Sequence, residues 1–422
     1  MFNAHQANRS LNILPLKQQE NIQDDWLGQR LDTILFEAME KAGIPMWIVV
    51  SKEYNEDPVV KSITPCIHDT SGRLAIYIFY LEKTSGQLER YFIGSTHPDM
   101  NTLYKFIWNR SSETQWERLR KLIEEKQPDK IAINHSNHIA VADGLTHSLH
   151  QKLIEEIGSY SDKLVSSEYI VTHWFLKRIE EEMTAYPFLA DLTNNLAKQA
   201  ISNEVIVPGI TSTDDVVHWI RQSVRDLGLN TSFYPTVDIQ RQGCEVDRLS
   251  PAIILPGDIV HLDFGLEYLG LSTDTQQLAY VLKQGETNAP QGLLDAFKQA
   301  LEMEDIVLKT MVAGTTGNEV FETSITMAKQ KNIQAMLYSH PIGVHCHEAG
   351  PYIGLYDQQK SIPFKGDFEV VSNSAYALEF NIKAYIPEWQ QETFIYLEQP
   401  IAVYNDGADY LTPRQETFYL IR

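Results

Sequence analysis

Between Trp26 and about Glu168, apolar runs alternate with segments of helical periodicity. Met46-Trp-Ile-Val-Val50 and Leu74-Ala-Ile-Tyr-Ile-Phe-Tyr80 read as strands, whereas Gln115 to Lys126 and Thr146 to Ile157 read as helices. That rhythm predicts a small α/β domain over residues 1–167, a boundary at Ser167 and a second domain over 168–422. From Val171 to Asn203 the chain has no glycine and is rich in Leu, Ala, Lys and Glu, which predicts a long helix with Pro187 as its expected break or kink.

Beyond that helix the pattern repeats. Val207-Pro-Gly-Ile-Thr-Ser-Thr-Asp214 introduces a helical stretch, Asp215 to Leu227, much as Val312-Ala-Gly-Thr-Thr-Gly-Asn-Glu319 introduces Val320 to Lys331. A glycine closing one helix and a Ser, Thr or Asn capping the next is enough to generate this likeness locally. A duplication gains weight because each helical pair is followed by a hairpin.

Both hairpins carry acids. In the first, Ile259-Val-His-Leu-Asp263-Phe-Gly265 runs into a turn and returns through Ser272-Thr-Asp274 to Val281; a turn centred on Tyr268 and Leu269 predicts that Asp263 and Asp274 stand directly opposite. In the second, Ala375 to Ile386 and Thr393 to Val403 flank Pro387-Glu-Trp-Gln390, and a turn centred on Glu388 and Trp389 sets Glu379 opposite Glu398. Period-two alternation supports that register, with Tyr376, Leu378, Phe380 and Ile382 on one face and Glu379, Asn381 and Lys383 on the other. Opposed carboxylates, their Cβ atoms about 5 Å apart, repel unless a cation lies between them. One such pair fits a strand face open to water, but two in corresponding halves point to a site.

Between the hairpins, Tyr338-Ser-His340-Pro-Ile-Gly-Val-His345-Cys-His347-Glu-Ala-Gly-Pro351 is dense in the side chain that ligates metals and titrates near neutrality. Four carboxylates and one imidazole make a hard, oxygen-rich set able to hold two divalent ions with a shared water or hydroxide. Mn2+ suits it best, with Co2+, Fe2+ or Zn2+ as alternatives. Any one of these histidines is also explained by packing or exposure, and Cys346 reads as a small packing residue.

Charge narrows the partners. The 422 residues carry 35 Lys and Arg against 56 Asp and Glu, a formal charge of −21, which argues against nucleic acid and anionic membranes. No apolar run approaches the roughly 20 residues of a membrane span, and no leader pattern opens the chain. Three cysteines, Cys66, Cys244 and Cys346, make no disulfide framework. The expectation is a cytoplasmic protein that binds neither nucleic acid nor membrane.

With these residues in hand, the chain resembles the pita-bread metallopeptidase family, which includes methionine aminopeptidase, prolidase, aminopeptidase P and the non-metallic creatinase. Leu262-Asp263-Phe264-Gly265, Asp274 eleven positions on, His340-Pro-Ile-Gly343, His347, and Glu379 and Glu398 on a late hairpin follow the family's pattern in order. The likeness covers roughly Glu168 to Arg422, and the segment before it lies where creatinase, prolidase and aminopeptidase P carry an N-terminal domain. It implies a mixed α+β fold: a creatinase-like α/β domain, then a pita-bread domain of two pseudo-repeated helix-helix-hairpin halves.

The resemblance further implies that Asp263, Asp274, His340, Glu379 and Glu398 bind two divalent ions, and that a hydroxide bridging them attacks a peptide carbonyl. Glu379 matches the family's proton-shuttling Glu, and His347 its substrate-side His. His345 and Tyr396 are weaker candidates for substrate contact. The implied substrate is a peptide cut at an Xaa-Pro bond, and a homodimer is implied by relatives with the N-terminal domain. Departures are also visible. Cys244-Glu-Val-Asp247 lacks the His that the family carries before the first Asp, and Met336 and Tyr396 stand where prolidases and aminopeptidase P have His and Arg. Glu379-Phe380 and His340-Pro341 replace the usual Glu-Pro and His-Gly. Two alternatives therefore stay open: a pita-bread hydrolase of a non-peptide C–N bond, as creatinase is, and a non-catalytic binding protein on the same scaffold.

Overall fold

The computed structural model describes residues 13–422 apart from 69, 83–85, 96, 97, 99, 245–247 and 249. The chain forms two compact units, Pro15–Ile179 and Glu180–Arg422, the latter joined by Ile13 and Leu14.

Six strands build the sheet of the first unit: β1 (Met46–Lys52), β2 (Leu74–Leu81), β3 (Leu88–Ile93), β4 (Lys105–Phe106), β5 (Ile131–Ile133) and β6 (Leu164–Ser166). They run in the order β4-β3-β2-β1-β5-β6. All of β1 except Lys52 is buried, which is why Met46 to Val50 is an unbroken apolar run. Helices Gln115–Lys126 and His147–Ile157 lay Leu119, Leu122, Ile123, Leu149 and Leu153 against Ile48, Ile76 and Ile78.

The helix Glu168–Leu176 also belongs to this unit. Its Trp174 and Phe175 are fully buried, and the Arg30 guanidinium lies 4.5 Å from the centre of the Trp174 ring. The units therefore divide after Ile179, downstream of Ser167. The long helix read from Val171 is interrupted at Lys177, whose backbone is extended, and not at Pro187, which lies inside the helix Glu180–Ala200. Burial explains the break, because Arg178 and Ile179 are drawn into the interior. Pro187 removes only one backbone donor from a helix whose other face packs Tyr186, Leu189 and Ala190.

In the second unit, helix pairs Glu180–Ala200 with Thr213–Asp226 and Gln291–Thr310 with Gly317–Gln330 each precede a hairpin. The second helix of each pair starts in a capping box, Ser212 with Asp215 and Thr316 with Glu319. The repeat seen in the sequence is thus a repeat of structure. The strands are β7 (Asn230–Thr231), β8 (Thr236–Gln240), β9 (Ile259–Phe264), β10 (Leu266–Tyr268), β11 (Leu271–Ser272), β12 (Thr275–Val281), β13 (Ala335–Leu337), β14 (His340–Ile342), β15 (Ser374–Ile386) and β16 (Gln391–Tyr404). The main sheet runs β13-β15-β16-β12-β9-β8, with β14 also paired to β15.

Strands β15 and β16 pair in the expected register, Glu379 opposite Glu398. The first hairpin differs: Asp263 faces Gln276 and not Asp274. Its turn is centred on Leu269 and Gly270, both at positive φ (54° and 72°), one position later than the sequence reading placed it. A two-residue turn with both central residues left-handed matches the twist of the strands it joins, and Gly270 takes that conformation without strain. The partner of Asp263 changes by two positions, so side-chain parity survives and Asp274 stays on the face of Asp263, diagonally placed.

Gly265 explains how Asp274 is brought back. A Cβ at this position would sit 2.0 Å from the Thr273 carbonyl oxygen, so the end of β9 can meet the segment before β12 only without a side chain. Gly265→Ala is expected to displace Thr273 and Asp274 and to lower the melting temperature by several degrees; an unchanged melting curve would contradict so close an approach. Among the described residues no helix is long and apolar enough to cross a membrane, and the three cysteines are free.

Candidate metal centre

Strand pairing lines up Thr236, Asp263, Gln276, Glu398 and Glu379 as one rung across β8, β9, β12, β16 and β15. Asp274 joins from the segment before β12, and His340 from the start of β14. His340 Nε2 lies 3.6 Å from Asp274 Oδ2, 3.6 Å from Glu379 Oε2 and 3.8 Å from Glu398 Oε1. These gaps are too long for hydrogen bonds. They suit side chains that share an ion, since ligands about 2.1 Å from one cation in tetrahedral geometry stand about 3.4 Å apart. Three overlapping sets, Asp274 with His340 and His347, His340 with Glu379 and Glu398, and Asp263 with Asp274 and Glu398, each keep their ligand atoms within 4.8 Å of one another.

Buried polar atoms nearly always find partners. Here Asp263 Oδ1, Asp274 Oδ1, His340 Nε2 and both carboxylate oxygens of Glu398 have none among the described residues. Burial first, and then the neighbouring carboxylates, hold Asp274, Glu379 and Glu398 well above the usual carboxylate range. Burial pushes Asp263 up to about 6. Burial together with neighbouring His347 drives His340 down to about 3, so its imidazole is neutral, the form that ligates. Four acids that resist ionisation around a neutral imidazole are a site short of positive charge, which divalent cations supply. The residues present fit such ions.

The other residues singled out in the sequence divide. The His347 ring lies edge-on to His340 with centres 4.4 Å apart, and it lines a cavity of about 470 Å³ beside the acids. Tyr396 lines the same cavity, its ring centre 4.4 Å from the Arg248 guanidinium and 4.8 Å from the His261 ring. His345 is not part of that lining; its Nδ1 lies 3.1 Å from Oε1 of the fully buried Glu348, whose carboxylate also accepts from the His345 and Ala349 backbone N–H groups. Cys346 does more than pack, since its thiol donates to Asp274 Oδ2 at 2.9 Å, and burial beside that carboxylate raises it far from thiolate formation. Glu245 to Asp247, in the stretch where the family's upstream His is absent, lie outside the described residues.

The model of metallopeptidase family M24 matches residues 189–403. The chain belongs to that family. Among solved structures it is similar to the X-Pro aminopeptidase from Thermotoga maritima MSB8, with a TM-score of 0.66 at 16% identity over 91% of this chain and 99% of that one. The Xaa-Pro dipeptidase from Bacillus anthracis gives a TM-score of 0.63 at 19% identity over 93% and 99%. The N-terminal domain of FACT complex subunit SPT16 from Cicer arietinum gives 0.61 at 10% identity over 92% and 96%. Likeness at these identities concerns the fold, which is the mixed α+β pita-bread fold expected, and function has to be argued from the site. No curated protein matches the chain.

Within this M24 chain, sequence reasoning missed a polar line behind the acids. Gln276 Nε2 donates to Glu379 Oε1 at 2.6 Å, and Gln276 Oε1 lies 2.9 Å from His261 Nε2. His261 Nδ1 lies 2.9 Å from Asp238 Oδ2, which also accepts from Arg248 Nη2 at 2.8 Å. Burial acts to raise Asp238, but His261 and Arg248 outweigh it and hold the carboxyl below its usual range. A signal was present: His261 stands two positions before Asp263 and Gln276 two after Asp274, each on the face of its acid.

Proposed function

We propose that the protein is a dinuclear metal-dependent exopeptidase that hydrolyses Xaa-Pro bonds in the manner of aminopeptidase P or prolidase, its chemistry carried by the second unit. Asp263, Asp274, His340, Glu379 and Glu398 hold the two ions. The observation that supports the reading is the cluster of partnerless, buried ligand atoms at ion-sharing distances in an M24 chain. Mn2+ is the best match to so oxygen-rich a set. When bound, the ions supply Lewis acidity that polarises the peptide carbonyl and activates water.

The chain's own residues do the rest. Glu379, at the cavity wall with one oxygen tied to Gln276, takes the proton released on attack and returns it to the leaving amine. His347, at the same wall, donates to the carbonyl oxygen as that oxygen gains charge. Tyr338, Tyr356 and Tyr396 give the cavity an aromatic side against which a pyrrolidine ring packs.

Hydrolysis of Ala-Pro, Ala-Pro-Ala and a Pro-free tripeptide, each with Mn2+ or with chelator, tests this. Cleavage confined to the Xaa-Pro bond and lost with chelator is expected, and the dipeptide-to-tripeptide ratio separates prolidase from aminopeptidase P behaviour. Equal cleavage of the Pro-free peptide would overturn the proline preference. No cleavage of any peptide by protein carrying two ions would overturn the peptidase reading.

A further inference from the structure

The middle of the acidic rung is not an acid. Gln276 lies on β12 with Asp263 opposite on β9 and Glu398 opposite on β16, and it is 3% exposed. Facing a cation, Glu379 is ionised and only accepts, so the amide nitrogen of Gln276 faces Glu379 Oε1, and its oxygen, pointing the other way, accepts from His261 Nε2–H. The two ends of an amide have nearly the same shape, so packing alone does not choose between them. His261 makes the choice: with a donor fixed behind Gln276, a flip would set nitrogen against nitrogen there and oxygen against carboxylate in front. His261 Nδ1 lies 2.9 Å from Asp238 Oδ2 and 3.2 Å from Arg248 Nη2, and with Nδ1–H donating to Asp238 the ring donates from both nitrogens; His261 and Asp238 are almost wholly buried.

We propose that Gln276, oriented by His261 and Asp238, is a positioning residue that holds Glu379 Oε1 in a hydrogen bond so that Oε2 alone is presented to the metal centre. The inference rests on the metallopeptidase reading above and adds to it how this chain aims one ligand. The geometry agrees, since Oε2 is the Glu379 oxygen 3.6 Å from His340 Nε2. The cost of the arrangement argues for a role. Apolar side chains of similar size at 261 and 276 would fill the same space without desolvating an imidazole, an amide and a carboxylate. A line of groups behind a ligand that fixes its orientation is a recurrent feature of metal sites, and its loss typically costs about 10–100-fold in metal affinity or activity.

The test is calorimetric titration of the metal-free full-length chain with Mn2+, with kcat and KM for Ala-Pro measured in parallel and melting curves as a check on folding. Gln276→Met keeps the shape and removes the donor; it is expected to weaken Mn2+ binding about tenfold or more and to lower kcat with KM little changed. His261→Leu is expected to do the same, whereas His261→Gln, which can still donate to the Gln276 oxygen, retains most of the affinity. Should Gln276→Met not fold, the comparison of the two His261 variants decides by itself. Wild-type affinity in folded Gln276→Met, or equal losses in His261→Gln and His261→Leu, would overturn the inference. A wild-type chain that takes up no Mn2+ would instead sink the proposed function, which keeps the two failures distinct.

Discussion

Glu398→Gln is expected to lose about a thousandfold in Xaa-Pro hydrolysis and to bind less Mn2+, while its fold is unchanged. The argument starts from position. Glu398 faces Gln276 on one side and Glu379 on the other, is 1% exposed, and leaves both carboxylate oxygens without a hydrogen-bond partner. Its Oε1 lies 3.8 Å from His340 Nε2, and it belongs to two of the three candidate ligand sets. Glutamine has the same shape, but it replaces one ligating oxygen with a donor and removes a negative charge. Metal ions in such sites supply several kcal/mol of transition-state stabilisation, and about 1.4 kcal/mol corresponds to tenfold in rate. Wild-type hydrolysis together with wild-type metal content in Glu398→Gln would place the chemistry elsewhere.

The second large effect is on stability. A carboxyl whose pKa is raised on folding binds its proton more tightly in the native state, so its stabilising contribution is complete below the unfolded pKa and is lost as pH rises through the folded value. For Asp263 that window runs from 3.8 to about 6, and for Asp274, Glu379 and Glu398 it extends higher. Metal-free protein therefore carries a penalty at the centre that grows above about pH 4, and bound cations reverse it because they favour the ionised carboxylates. A ligand at about a thousand times its dissociation constant adds about 4 kcal/mol, and each kcal/mol moves the melting temperature of a unit this size by about 2–4 °C. Saturating Mn2+ is thus expected to raise the melting temperature by about 8–16 °C at pH 7.5 and hardly at all at pH 4. Scanning calorimetry at the two pH values measures this; an equal shift at both would mean that the ion binds away from the buried acids.

Much of this site could be read from the chain because hairpins obey parity. For β15 and β16 the turn at Glu388 and Trp389 fixed the register outright, and Glu379 faces Glu398 as the alternation demands. The first hairpin was harder because its turn contains Leu269 at positive φ, an angle that no side chain advertises, and because the strands are pinched at Gly265 between turn and acids. The error moved the partner of Asp263 from Asp274 to Gln276 and left the shared face intact. The helix break at Lys177 was hidden for another reason: it is set by the burial of Arg178 and Ile179, a tertiary effect, whereas Pro187 carried the conspicuous local signal. His261 and Gln276 were legible by the same parity that found the acids, but a histidine and a glutamine attract less notice than carboxylates. Asp238 and Arg248 were not, since nothing in their local sequence says that they meet behind His261.

The central claim is that Asp263, Asp274, His340, Glu379 and Glu398 hold metal ions that make this M24 chain a peptidase. Its most direct test measures bound Mn2+ per chain and the rate of Ala-Pro and Ala-Pro-Ala hydrolysis in the same samples, as metal-free protein is reconstituted stepwise. The account expects no hydrolysis without metal and a rate that rises as occupancy approaches two ions per chain. Full hydrolysis in chelator, or two bound ions with no peptide cleaved, would contradict it.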